Sequence, residues 1–288
     1  MLGSDLATFL SGRGRPFAVV LGTNEIASAI AVHLTRAGDG VALVHDPHPP
    51  VLRRAMAFDD ALYGDPATVE GITGLRCETT LEVVAALAEP HRVAPTLLDL
   101  SHLLALRSPA VLVDARLQKD RTAPDLRGLA AIAIGVGPNF AVGVNCDVAI
   151  ETHPEVVGRV LFGGATRRAD GCSPLLGAVG GDRLLRAPQA GRWHTPHDIG
   201  QRIYRGQVVG RVDGEAIVAP FDGILRGVVR DATEVTIRAK LVEIDPRGRA
   251  ARWTGIDERG RAIASAVVAA AARASADRRS PVGLDQLH

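Results

Sequence analysis

Residues 17–46, FAVVLGTNEIASAIAVHLTRAGDGVALVHD, constrain the fold more than any other stretch of this chain. An apolar run, FAVVLG (17–22), reaches a glycine, and a second run, VALVHD (41–46), ends on an acid. Between them Ile26, Ile30, Ala31 and Leu34 fall on one face at helical spacing, and Gly38 is placed to end that helix. The alternation continues with a helix over 80–89, a strand over 95–100, a helix over 101–107 and strands over 110–116 and 129–135. Strands separated by helix-length segments predict a parallel sheet covered on both faces. The expected fold class is α/β, opening with a Rossmann-like parallel sheet.

The turn after the first strand carries most of the information about a ligand. A dinucleotide loop uses one glycine for the tight turn, a second for close approach of the pyrophosphate and a third for helix packing. Here Gly22, Asn24 and Ala27 hold those places, with Thr23 and Glu25 between them. Asp46 stands where a ribose-binding acid would be. A second glycine loop, IGVGPNFAVGVNCD (134–147), contributes Gly135, Gly137, Pro138 and Asn139. Asp114, Lys119 and Arg121 follow another strand and can form a polar lip to the same crevice. Ligands of open parallel sheets collect at the carboxyl ends of strands, so these residues form the candidate nucleotide site. A strand–helix turn capped by Asn24 explains the first loop equally well, and both readings stay open.

Bulk properties narrow the class. Aromatic residues are only 3% of the chain against 47% apolar, so the cores must be built from Ala, Val, Leu and Ile. No apolar run approaches the roughly 18 residues that span a bilayer, and the N-terminus lacks a secretory pattern. Cys77, Cys146 and Cys172 are too few and too scattered for a disulfide framework or a zinc site, which makes the cytoplasm the simplest compartment. The histidines His45, His48, His102, His153, His194 and His197 suggest no metal site either. Net charge is +1, and nucleic acid is not an expected partner. The charge is uneven: residues 17–150 hold 10 Lys and Arg against 15 Asp and Glu, and residues 183–252 hold 13 against 8. Opposite surfaces of this kind help two parts dock, or offer a basic face to an anion.

The second part has a different texture. LLRAPQAGRW (184–193) and AIVAPFDGIL (216–225) repeat with a shift of 32, matching Ala187, Pro188 and Gly191 to Ala219, Pro220 and Gly223. Such twin β-units resemble the barrel-sandwich hybrid of biotinyl and lipoyl carriers. A carrier needs a lysine on the hairpin near 211–216, but the chain has only Lys119 and Lys240, so no biotin or lipoate attachment is expected. The predicted organisation is an α/β domain over 17–160, a glycine-rich linker over 161–182 and a β-domain over 183–250. A helix over 255–276 and a disordered tail complete it. The linker holds Arg167, Arg168 and Cys172, the last either a reactive thiol or an ordinary loop cysteine.

Several fragments together carry a family resemblance: DGVALVHDPHPPVLRRAMAFDDALYGDPATVEGI, VLVDARLQKD, IAIGVGPNFAVGVNCDVAIET, GRVLFGGA and APFDGILRGVVRDATEVTIRAKLVEIDPR. In order and spacing the chain resembles the YqeB-type accessory proteins of selenium-dependent molybdenum hydroxylases, related to the XdhC/CoxF maturation group. The resemblance implies a maturation factor for a xanthine- or CO-dehydrogenase-type hydroxylase. It further implies binding of molybdopterin cytosine dinucleotide or another nucleotide, a hydroxylase subunit as partner, and a possible homodimer. The family has glycine where this chain has Asn24 and Asn139. Two other readings stay open: an NAD(P)-dependent oxidoreductase, and a ligand-free adaptor that docks through its β-domain.

Overall fold

The computed structural model describes residues 2–279, so the tail expected to be disordered lies outside the described residues. Helix α1 (Leu2–Leu10) precedes strand β1 (Phe17–Leu21), helix α2 (Glu25–Arg36) and strand β2 (Gly40–Val44). A hairpin of β3 (Ala67–Val69) and β4 (Ile72–Gly74) leads to α3 (Thr80–Ala88), β5 (Arg92–Thr96) and α4 (Leu100–Leu106). Strands β6 (Val111–Asp114), β7 (Ile132–Val136), β8 (Val148–Ile150) and β9 (Val160–Leu161) follow. These nine strands form one sheet in the order β3-β4-β5-β2-β1-β6-β7-β8-β9.

Local chemistry explains the helices. Asn24 caps α2, whose stripe of Ile26, Ile30 and Leu34 is buried against the sheet. Each such side chain contributes about 1.5–3 kcal/mol through burial. A capping box between Thr79 and Glu82 starts α3, and Asp99 caps α4. That cap ends the expected strand at 95–100 early: β5 closes at Thr96.

The second part contains β10 (Leu184–Arg186), β11 (Gly191–His194), β12 (Arg202–Ile203) and β13 (Val208–Val212). It continues with β14 (Glu215–Val218), β15 (Gly223–Val228), β16 (Glu234–Val235) and β17 (Lys240–Asp245). Two four-stranded sheets result, β10-β17-β15-β12 and β14-β13-β11-β16. The repeat is physical. Ala187 exchanges backbone hydrogen bonds with Arg238 and Ala239, and Ala219 does the same with Gly206 and Gln207, so each unit completes the other's corner. Trp193 is fully buried in this core with its indole N–H on the Val229 carbonyl at 3.0 Å. Gly210 is required beneath it, because a Cβ there would lie 2.2 Å from the indole ring.

This architecture corrects the expected Rossmann-like parallel sheet followed by a barrel-sandwich hybrid. The main sheet is mixed: β3 pairs antiparallel with β4, and β9 antiparallel with β8. Parallel neighbours normally need a helical crossover, yet β6 to β7 and β7 to β8 are joined by loops without one. The face left open is covered instead by α5 (Glu258–Arg279), which returns after the β-strands and packs on α2 through Ile263 and Val267. The remainder is a pair of antiparallel sheets with their own core.

Ion pairs join the two parts. Arg54 and Asp60, between β2 and β3, meet Asp198 and Arg230 of the second part. The central contact is Glu243 of β17, fully buried, which accepts hydrogen bonds from Arg53 at 2.6 and 3.1 Å and from Arg183 at 3.0 Å. Burial alone would raise the Glu243 pKa, but Arg53, Arg226 and Arg183 outweigh it and hold the carboxyl at about 2. Its folded pKa lies below the unfolded value, so its stabilisation is present above the ordinary carboxylate range and is lost as pH falls through about 2. Glu243→Gln leaves clustered guanidinium groups unmatched. The expected cost is roughly 3–5 kcal/mol in urea unfolding, with a shallower acid limb of the stability curve; a loss below about 1 kcal/mol, the surface-pair range, would contradict this account.

Candidate functional site

The strand tips predicted to hold a nucleotide are occupied by the protein itself. Gly22 makes the expected tight turn at φ 109°, and a Cβ there would crowd the Ala115 carbonyl at 3.2 Å. Asn24 is extended, at φ −68° and ψ 176°. Its Oδ1 accepts the N–H groups of Ile26 and Ala27 at 3.0 and 3.1 Å, and its Nδ2 donates to Ala115 O at 2.8 Å. Those two amides are the donors a phosphate would need at this helix start. Thr23 is buried, donating to Asp59 Oδ1 at 2.6 Å, with His45 Nδ1 3.1 Å from its hydroxyl. Asp46 accepts from Gln118 Nε2 at 2.8 Å and faces Arg116 at 3.6 Å, while Asp114 takes Arg116 in a fork at 3.0 and 2.6 Å. The residues present here do not fit a pyrophosphate or a ribose.

The second glycine loop is also structural. A Cβ on Gly135 would lie 2.1 Å from the Phe140 ring, so that glycine admits a core side chain. Gly137 turns at φ 99° and bonds to Ile150 O at 3.0 Å. Asn139 adopts the left-handed region at φ 75°, which Asn tolerates well. Its Nδ2 faces the carbonyls of Gln118, Lys119 and Arg121 at 3.0–3.1 Å. Asn139 therefore fixes the segment that carries Lys119.

That lysine leads to the principal cavity, about 1010 Å³, between the main sheet, α5, the 167–176 loop and β17. Eleven Arg or Lys and five Asp or Glu line it, so its interior favours anions. Pro138 is on its wall, and Glu25 borders it through a 3.1 Å pair with Arg53. Lys119 and Lys240, the only lysines of the chain, both line it. Neither has a carboxylate within ion-pair distance among the described residues, whereas Arg53, Arg183 and Arg226 are paired. Burial, then Lys119 and Arg186, lowers the Lys240 pKa to about 8. Lys119, at the open side, is lowered by desolvation and then by Arg259 and Arg186. Arg259 donates to Thr152 O at 3.2 Å, and its buried Nε has no partner.

Of the residues predicted for the nucleotide site, only Lys119 and Pro138 line this cavity, with Glu25 at its edge, while the linker's Arg167, Arg168 and Cys172 line it too. Gly22, Thr23, Asn24, Asp46, Asp114, Gly135, Gly137 and Asn139 are committed to internal bonds or turns. Lys240 and Arg259 have no motif around them. The one available signal was the rarity of lysine, two among 33 basic residues.

No family model matches the chain. It is similar to the uncharacterized protein YqeB of Escherichia coli K12, 31% identical over 261 residues, covering 89% of this chain and 47% of YqeB. The chain thus spans about half the length of that curated relative. Among solved structures, a succinylglutamate desuccinylase/aspartoacylase from Rhodobacter sphaeroides is 21% identical over 32% of this chain and 28% of its own, with a TM-score of 0.20. An aspartoacylase family protein from Mesorhizobium loti is 12% identical over 80% and 85%, with a TM-score of 0.25. At these scores neither likeness supports a shared fold or activity.

The bonds of Asn24 give a direct test of its structural role. Asn24→Ala uncaps α2 and strips Ala115 O of its donor, an expected loss of about 1–2 kcal/mol in chemical denaturation. Unchanged stability would show that these bonds do not anchor the loop.

Proposed function

We propose that the protein is an accessory factor that binds a phosphate-bearing anion, the dinucleotide form of a pterin cofactor, in the cavity between its two parts, without redox turnover. The observation that carries this reading is the gathering of Lys119, Lys240 and Arg259 at one cavity without carboxylate partners. Holding Lys240 protonated in its partly buried setting costs on the order of 3 kcal/mol at neutral pH. Glu25 offsets only part of the cost of burial, and a phosphate beside the ammonium would offset more. Perturbed groups facing a cleft are the physical mark of a ligand site.

The molybdenum-hydroxylase setting, with a hydroxylase subunit as the recipient of the ligand, rests on the resemblance carried by the family fragments of the sequence. The chain's own residues supply binding: Lys119 and Lys240 as point charges, Arg259 as a planar donor. Asn139 holds the Lys119 segment in place.

Isothermal titration with inorganic pyrophosphate and with cytidine diphosphate tests this reading. Both are expected to bind, and Lys240→Met is expected to weaken them roughly tenfold or more, the loss of one charge-assisted contact. Because Lys240 binds an anion only when protonated, affinity should fall as pH rises through about 8. Absence of binding by both probes, or equal affinity in Lys240→Met, would overturn the proposal. Hydride transfer from added NAD(P)H would favour the oxidoreductase reading instead.

A further inference from the structure

His153, Asp170 and Cys172 stand on the wall of the same cavity and bring one ligand atom each within 4.8 Å of one another. His153 precedes the Pro154–Val156 turn just beyond β8, so the main sheet sets its position. The other two come from the linker loop. His153 Nε2 lies 3.0 Å from Asp170 Oδ2, and Asp170 Oδ1 accepts the Cys172 N–H at 2.8 Å, folding Asp-Gly-Cys back over the imidazole. The His153 side chain is 11% exposed, whereas Asp170 and Cys172 are open, and the thiol is free.

We propose that His153, Asp170 and Cys172 form a site for a zinc-type divalent cation, with a fourth coordination position open to the cavity. Imidazole nitrogen, carboxylate oxygen and thiolate sulfur are the donors zinc takes, and three protein ligands with one vacancy define a catalytic rather than a structural site. Zinc–ligand lengths place donor atoms about 3.5 Å apart in a tetrahedron, a small contraction of the present cluster. Asp170 Oδ2, now 3.0 Å from His153 Nε2, would turn from the imidazole to the cation, while Oδ1 keeps the Cys172 N–H.

The surroundings accept a cation. Arg167, the nearest guanidinium, is neutralised by Glu155 at 2.7 Å, and its backbone N–H is held by Glu151 Oε1 at 2.6 Å. Coordination at Nε2 moves the imidazole proton to Nδ1. The two long contacts that Nδ1 can accept, from Glu155 N–H at 3.3 Å and Arg167 Nη1 at 3.4 Å, are given up, while Arg167 keeps its carboxylate. The Cys172 thiol gives its proton to solvent and becomes the sulfur ligand. A bound cation would add an open Lewis-acid position to a cavity in which ammonium and guanidinium groups outnumber carboxylates. Cys77 and Cys146 do not compete: both are buried, with thiols raised to about 11 by burial.

Titration of the chelator-treated full chain with Co²⁺ tests this. One cobalt per chain is expected, with a sulfur-to-cobalt charge-transfer band in the near ultraviolet that added Zn²⁺ abolishes. Cys172→Ser is expected to remove the band, and His153→Ala and Asp170→Asn each to weaken binding roughly tenfold or more. A spectrum without the band, or unchanged affinity in His153→Ala, would overturn the site. Pyrophosphate binding by the chelated protein is read separately, so failure of the cation site and failure of the anion site are distinguishable.

Discussion

One buried carboxylate organises the molecule. Glu243 is removed from water entirely and takes hydrogen bonds from Arg53 of the first part and Arg183 at the start of the second, with Arg226 at 3.6 Å. Arg53 extends the network to Glu25 at the start of α2 and to Asp257 at the start of α5. Charges this deep gain little over well-packed apolar residues in net stability, because desolvation consumes most of their attraction. What they provide here is a single geometry. Two helices, one strand and the linker turn satisfy their charges only when the two parts meet in one way, and that meeting creates the cavity.

The same network separates paired from unpaired basic residues of the cavity; Arg167, Arg247 and Arg261 are paired outside it, and Arg168 and Arg252 have no carboxylate at ion-pair distance among the described residues. Arg53, Arg183 and Arg226 are structural: each has a carboxylate, and Arg183 also donates to the Pro174 carbonyl at 2.9 Å, shaping the loop that bears Asp170 and Cys172. Lys119, Lys240 and Arg259 are surplus to the fold. A surplus cation in a partly desolvated place lowers stability unless a ligand meets it, so these residues carry the functional reading and their paired neighbours do not.

Much of the local structure was legible in the sequence, because local chemistry fixed it. The α2 stripe, the α3 helix, the β1 and β2 runs and the hairpin near 211–216 occur where spacing and turn chemistry place them. The global architecture was less legible. The bare loops between β6, β7 and β8 depend on α5 arriving from the end of the chain to cover them, which no local window shows. The edge strands β3 and β9 span three and two residues, too short for alternation to register. The cavity was hidden for the same reason: Lys119 and Lys240 meet only because the two parts dock, and their spacing in sequence carries no period.

Asn24 stands where the dinucleotide fingerprint has its second glycine, Asn139 where the resembled family has glycine, and both side chains are spent on internal bonds. Glycine leaves backbone amides bare for a phosphate, whereas asparagine brings an acceptor and a donor of its own. Asn24 spends both on the α2 amides and on Ala115, closing the tip of β1 against β6. Asn139 spends its donor on the carbonyls around Lys119 and holds that lysine's segment in register. Backbone recognition at the strand ends is thereby exchanged for side-chain recognition a short distance away. The α2 amides are taken by Asn24, and the Asn139 side chain holds the loop that presents Lys119.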